Sequence, residues 1–176
     1  MNDSIKEILI SGDQITQRCK EMAAQINEDY KGKKVILLGL LKGSVPFLSE
    51  LSKYIEAEVS FEYMNVSSYD GVESKTLVVK QDVEGPIAGK NIIIVEDIID
   101  TGKTLANVVE MLYDRDVRSV KVATMLDKPE GRTFDIKADY VGFEIPNAFV
   151  VGFGLDFNER FRQLPYVGIL KESCYK

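Results

Sequence analysis

Apolar residues fall along this chain in two rhythms. Val35-Ile-Leu-Leu-Gly-Leu-Leu41 and Ile92-Ile-Ile-Val95 are apolar without a polar interruption. Alternation disappears when both faces of a strand are covered, so each run predicts a buried strand of a parallel sheet. Glu58 to Ser68 (Val59, Phe61, Tyr63) and Thr76 to Val83 (Leu77, Val79) alternate instead. The polar, glycine-bearing stretch between them exceeds what a tight hairpin needs, which predicts an antiparallel pair carrying a lid-like loop. Arg118 to Leu126, Ala138 to Phe143 and the short Ala148 to Gly152 read as further strands. The helical period governs Ser11 to Tyr30, where Ile15, Met22 and Ile26 recur, Ser11 with Gln14 fits a capping box and Gly32 supplies a stop. Two more helices are predicted, one through Pro46 to Leu51 with Ser44 as N-cap, the other from Leu105 to about Arg115. Strands alternating with helices give an α/β fold with a mainly parallel sheet flanked by helices.

Both buried runs end in polar residues that have no place in a core. The first runs into Lys42-Gly43 and the second into Glu96-Asp97, followed by Asp100-Thr-Gly-Lys-Thr104. Open α/β sheets bind ligands outside the carboxyl ends of their strands, so these are candidate site residues. Thr101, Gly102, Lys103 and Thr104 have the composition of a phosphate cradle. Glycine lets the backbone approach an anion, the free N–H groups of the following helix point at it, and the threonines add hydroxyl donors. A P-loop is excluded, because position 97, where it needs glycine, is aspartate. A dinucleotide fingerprint at Gly152-Phe-Gly154 fails likewise, since position 157 is phenylalanine.

Composition narrows the chemistry. The 176 residues suit one domain spanning 1–176, long enough to bury roughly 70% of the surface of the unfolded chain. A net charge of −6 argues against a nucleic-acid partner, which needs clustered Lys and Arg. Histidine is absent, which removes Ser-His-Asp and Cys-His catalysis and most zinc sites. Any acid–base catalyst is then Asp, Glu, Lys or Tyr. Cys19 and Cys174 lie at opposite ends without metal-ligand spacing and read as free thiols in a reducing compartment. The charged N-terminus lacks the apolar core of a signal peptide, and no apolar run approaches the length of a membrane span. The expected location is the cytoplasm, with no membrane partner.

Val95-Glu-Asp-Ile-Ile-Asp-Thr-Gly-Lys-Thr104 resembles the phosphoribosyl-pyrophosphate motif of type I phosphoribosyltransferases, closest to the hypoxanthine-guanine branch. Leu41-Lys42-Gly43 resembles that family's pyrophosphate loop, which holds a cis peptide at its Leu–Lys bond. Ser68-Tyr69 resembles its lid dipeptide, and Phe149 to Arg162 its base-binding and closing segment. These four segments span about residues 35 to 165. The resemblance implies a small hood formed by the chain ends and an antiparallel lid hairpin. It implies transfer of 5-phosphoribosyl from phosphoribosyl pyrophosphate to hypoxanthine or guanine, with Mg²⁺ as cofactor and a homodimer or homotetramer as the assembly.

The resemblance also distributes roles. Asp100 to Thr104 would hold the 5′-phosphate, and Glu96 and Asp97 the ribose hydroxyls and the Mg²⁺ environment. Asp156 would serve a second Mg²⁺. Lys42, Gly43 and Arg162 would hold the pyrophosphate, with Ser68 and Tyr69 closing over the reacting centre. Asp100 would be the general base near the purine N7, Lys128 would donate to the 6-oxo group, Phe149 would stack on the purine, and the Val150 backbone would bond its edge. Two other readings stay open: a xanthine-preferring transferase, and a regulatory protein that keeps the fold without catalysis.

Overall fold

The computed structural model describes residues 2–68 and 77–175. Tyr69 therefore lies outside the described residues, and of Ser68 only the backbone, at a strand end, is described. In chain order the elements are β1 (Ile5–Ile10), α1 (Gly12–Asp29), β2 (Lys34–Leu40), α2 (Val45–Ser52), β3 (Glu58–Ser68), β4 (Leu77–Gln81), β5 (Asn91–Ile99), α3 (Lys103–Tyr113), β6 (Ser119–Asp127), β7 (Tyr140–Glu144), β8 (Val150–Val151) and β9 (Val167–Leu170). The main sheet has the order β4-β3-β2-β5-β6-β7. All of it is parallel except β4, which runs antiparallel to β3. A separate antiparallel sheet, β1-β9-β8, joins the two chain ends into the hood.

The uninterrupted apolar runs are explained by cover on both faces. Val35 and Leu37 of β2 and Ile93 and Val95 of β5 join a core with α1 and α2, built on Ile15, Met22, Ile26 and Phe47. Ile36, Leu38, Ile92 and Ile94 point the other way and pack with Leu105, Val108 and Leu112 of α3. Cys19 sits in the first core, where burial pushes its thiol up to about 12, an unreactive setting. Cys174 is also free.

At the start of α1 the predicted capping box is present. The Ser11 hydroxyl accepts from the Gln14 N–H at 3.3 Å, and the Gln14 side chain accepts from the Ser11 N–H at 2.8 Å. Ser11→Ala leaves helix donors without their acceptor, so we expect a loss of about 1 kcal/mol. In a thermal melt that corresponds to a fall of about 2–4 °C in Tm for a domain of this size, with catalytic constants unchanged.

Ser44 departs from its predicted role. Its backbone is already helical (φ −68°, ψ −17°), whereas an N-cap needs extended geometry for its side chain to reach back. The hydroxyl makes no cap bond and is buried without a partner. The second departure is β5, which does not end at the carboxylates but continues through them to Ile99. Ladder bonds are made by backbone, and pairing with β6 persists at Glu96↔Thr124, Ile98↔Leu126 and Ile99↔Asp127.

Candidate active site

The topology fixes where a ligand can sit. From β2 the chain crosses to β3 on one side, and from β5 to β6 on the other, so the connections diverge between β2 and β5. A crevice opens at such a switch point, outside the carboxyl ends of the strands. Here a cleft of about 240 Å³ is lined by Leu40 and Leu41 after β2, by Glu96 and Ile98 to Ile99 of β5, and by Asp100 to Leu105, with Val66 of β3 closing one side.

The 100–104 turn carries the predicted cradle. Gly102 has φ +82°, a conformation L side chains rarely adopt, and a Cβ there would lie 2.4 Å from the Ile136 side chain. The helix begins at once, with Ala106 N–H donating to the Gly102 carbonyl. The Thr101 hydroxyl accepts from the Lys103 N–H at 3.4 Å. Lys103 and Thr104 line the same cleft.

Glu96 and Asp97 are partly buried side by side. Burial, and then the neighbouring Asp97 carboxylate, push the Glu96 carboxyl well above the ordinary range. Burial raises Asp97 too, against hydrogen bonds from Glu96 and from the Ile98 N–H and the positive field of Arg162. Two adjacent acids that resist joint ionisation form a donor set that a divalent cation would relieve. Among the described residues no cluster of three or more His, Cys, Asp or Glu is close enough to hold a metal. The Glu96–Asp97 pair itself suits Mg²⁺, which takes one or two carboxylates and completes its shell with water and substrate oxygens.

The loop after β2 meets Asp97 closely. The Leu41–Lys42 peptide bond is cis, as the resemblance implied. Gly43 lies so near Asp97 that a Cβ would stand 1.6 Å from its Oδ2. Lys42 Nζ pairs with Glu159 at 2.7 Å. Arg162 reaches Asp156 at 2.9 Å and Glu159 at 3.2 Å and donates to the Gly154 carbonyl at 2.7 Å. Its Nε is buried without an acceptor. The Lys42 hydrogen bond first, and then that from Arg162, hold the Glu159 carboxyl below its usual value. Both cations assigned to pyrophosphate are thus gathered around one exposed carboxylate, Glu159, a residue that sequence reasoning did not single out.

At the ends of β5 and β6, Lys128 Nζ stands 3.6 Å from Asp100 Oδ2. The Lys128 side chain is only 10% exposed, while the Asp100 carboxylate is half exposed at the cleft. Phe149 packs in the hood, stacked on Tyr175 at 5.0 Å and edge-on to Phe157 at 5.6 Å. Val150 is buried in β8, an edge strand, and pairs with Ile169 on one side only. Tyr175, Arg132 and Asp127 also escaped sequence reasoning. For Asp127 a signal was present, since it directly precedes Lys128 at the carboxyl end of a strand.

The comparisons agree along the whole chain. The family model of the phosphoribosyl transferase domain matches residues 7–158. The chain is 51% identical to the hypoxanthine-guanine phosphoribosyltransferase of Streptococcus pneumoniae, over 99% of this chain and 98% of that one. Its fold is similar to a crystal structure of a hypoxanthine phosphoribosyltransferase from Staphylococcus aureus, with TM-score 0.96 and 44% identity, covering 99% and 96% of the two chains. It is also similar to the hypoxanthine phosphoribosyl transferase of Trypanosoma cruzi, solved to examine the role of its C-terminal region in oligomeric state and enzymatic activity, with TM-score 0.94 and 35% identity over 99% and 96%. The chain therefore belongs to the phosphoribosyl transferase family, in its hypoxanthine-guanine phosphoribosyltransferase branch.

Proposed function

We propose that this enzyme joins hypoxanthine or guanine to phosphoribosyl pyrophosphate, with Asp100 as the general base and Lys128 as the reader of the 6-position. The observation that carries this reading is the Lys128–Asp100 pair, 3.6 Å apart beside the phosphate cradle. A 6-oxopurine presents its 6-oxygen and N7 on one edge. An ammonium is donor only and suits the oxygen; a carboxylate accepts and suits an N7 proton. The two groups stand next to each other in that order of chemistry.

In the reaction the purine N9 forms a bond to C1 of the ribose as the bond from C1 to the pyrophosphate oxygen breaks. Asp100 accepts the proton carried at N7. The cradle of Thr101 to Thr104 holds the 5′-phosphate by backbone N–H groups and hydroxyls. Lys42, the Gly43 backbone and Arg162 meet the charge that grows on the leaving pyrophosphate; donors fixed where charge develops are usually the largest electrostatic contribution. They reach it by exchanging Glu159 for phosphate oxygens. Glu96 and Asp97 would hold the ribose hydroxyls and one Mg²⁺, and Asp156, now paired with Arg162, would serve a second. When bound, Mg²⁺ supplies charge neutralisation on the pyrophosphate. Phe149 stacks on the base and the Val150 backbone bonds its edge.

The chain acts as one domain over 1–176, in the cytoplasm, as a homodimer or homotetramer; the interest in oligomeric state for the Trypanosoma cruzi relative supports an assembly. Among the described residues no helix is long and apolar enough to cross a membrane.

A base panel tests the reading. Purified enzyme, phosphoribosyl pyrophosphate and Mg²⁺ are mixed with hypoxanthine, guanine, xanthine or adenine, and nucleotide formation is followed by absorbance. Hypoxanthine or guanine should turn over. Adenine places its 6-amino donor against the Lys128 donor, at about 1–3 kcal/mol, so its kcat/KM should be lower by on the order of ten- to a hundredfold. Adenine turnover at the hypoxanthine rate would overturn the pocket assignment, and binding without turnover of any base would favour the regulatory alternative.

A further inference from the structure

Arg132 lies outside every role assigned so far, yet its guanidinium binds the backbone on which the 100–104 turn is built. It follows the short helical turn Pro129–Gly131, and its side chain is only 16% exposed. Its Nε donates to the Asp100 carbonyl at 2.9 Å. One terminal nitrogen donates to the Ile136 carbonyl at 2.6 Å. The other donates to the Ile99 carbonyl at 3.4 Å and pairs with the Asp127 carboxylate. A single guanidinium thus spans the end of β5, the end of β6 and the strand-to-strand connection beyond. The neighbouring backbone does the same for the next peptide, since the Thr133 and Phe134 N–H groups both donate to the Thr101 carbonyl at 3.1 Å.

A trans peptide is planar, so its C=O and the N–H that follows point in opposite directions. Fixing the Asp100 carbonyl on Arg132 therefore fixes the Thr101 N–H away from Arg132. Fixing the Thr101 carbonyl fixes the Gly102 N–H in the same manner. These are the first donors of the cradle that lines the cleft. The same guanidinium holds Asp127, the residue before Lys128, whose own N–H donates to the Ile99 carbonyl at 2.9 Å. Only the planar fork of arginine presents enough fixed donors for this set; the lysine ammonium is a point charge on a flexible stem.

We infer that Arg132 is a positioning residue for the transfer reaction: it orients the Asp100–Thr101 peptide so that the cradle N–H groups face the 5′-phosphate, and it sets the base-reading end of β6 in register with that cradle. This rests on the proposed phosphate site. The role predicts a specific split. Arg132→Ala should raise KM for phosphoribosyl pyrophosphate and lower kcat/KM by on the order of 10²-fold, the loss expected for misplacement by about 1 Å. Arg132→Lys should remain defective, and added guanidinium should restore Arg132→Ala but leave the wild type unaffected. Asp127→Asn, which keeps the fork and weakens its anchor, should shift the same KM by a smaller factor.

Steady-state kinetics on all four proteins, with Tm measured alongside, decide the matter. A wild-type KM for phosphoribosyl pyrophosphate in folded Arg132→Ala, or no guanidinium rescue, overturns the inference. If Arg132→Ala does not fold, an unshifted KM in Asp127→Asn overturns it equally. A wild-type enzyme that neither binds nor turns over phosphoribosyl pyrophosphate would instead refute the site reading, so the two failures are distinct.

Discussion

Asp100→Asn is expected to lower the rate of the chemical step by about 10²–10⁴-fold while leaving the fold intact. The amide has nearly the shape of the carboxylate but cannot take a proton. With histidine absent from the chain, no neutral-pH base stands ready to substitute. The fold should tolerate the change because among the described residues the Asp100 carboxylate makes one ion pair, to Lys128 at 3.6 Å, and is half exposed; such pairs contribute little to stability. Its backbone, which Arg132 grips, is untouched. The loss should appear in kcat rather than in KM for phosphoribosyl pyrophosphate, the opposite of the split expected for Arg132→Ala. Product release limits kcat in many enzymes, so a single-turnover measurement is the decisive readout. An unchanged single-turnover rate would remove Asp100 from the role of base.

That residue was legible in the sequence because the strand before it is so plainly a buried one. Four apolar residues in a row, then carboxylates, then a glycine turn into a helix, leave little freedom in placing Asp100 to Thr104 at the mouth of a sheet. β2 with Lys42 and Gly43 was legible for the same reason. What was illegible depends on partners far away in sequence. β1 carries Ile-Lys-Glu-Ile-Leu-Ile, buried only at its two ends, and its register with β9 shifts twice. That pairing joins Ile5 to Leu170, so neither segment shows a period of its own. The end of β5 was misplaced because side-chain polarity was taken to mark the end of a backbone ladder, and ladder bonds are indifferent to it.

The same distinction applies within the site. Residues that would touch substrate fall in short contiguous motifs, whereas those that hold the motifs in place do not. Arg132 contacts three backbone carbonyls and Asp127, and nothing in its own neighbourhood in sequence announces those acceptors. Glu159 likewise becomes visible only when Lys42, more than a hundred residues earlier, is seen against it. Glu159 keeps the like charges of Lys42 and Arg162 from facing each other without a carboxylate between them.

Gly43→Ala should be the most damaging single methyl addition in the protein. A Cβ on Gly43 would lie 1.6 Å from Asp97 Oδ2 and 2.5 Å from its Cγ, so one of the two must move by more than an ångström. The loop cannot retreat, because the Gly43 carbonyl already rests on Gly154, where a Cβ would come within 1.9 Å of it. Asp97 is held in turn by the Ile98 N–H at 2.8 Å. Either displacement pulls the loop after β2, the proposed pyrophosphate seat, away from the Glu96–Asp97 carboxylate pair. Misplacement of about 1 Å typically costs about 10²-fold, and we expect kcat/KM to fall by at least that. The overpacking itself should cost about 1–3 kcal/mol of stability, too little to unfold an ordinary domain. Gly85→Ala is the matched control: its Cβ would meet only the Glu62 side chain, at an ordinary 3.5 Å, so activity and stability should stay near wild type. Pyrophosphate binding, measured directly on Gly43→Ala, separates the causes. Weakened binding places the damage at the leaving-group seat; binding and turnover at wild-type levels would show that the loop after β2 has no part in the reaction.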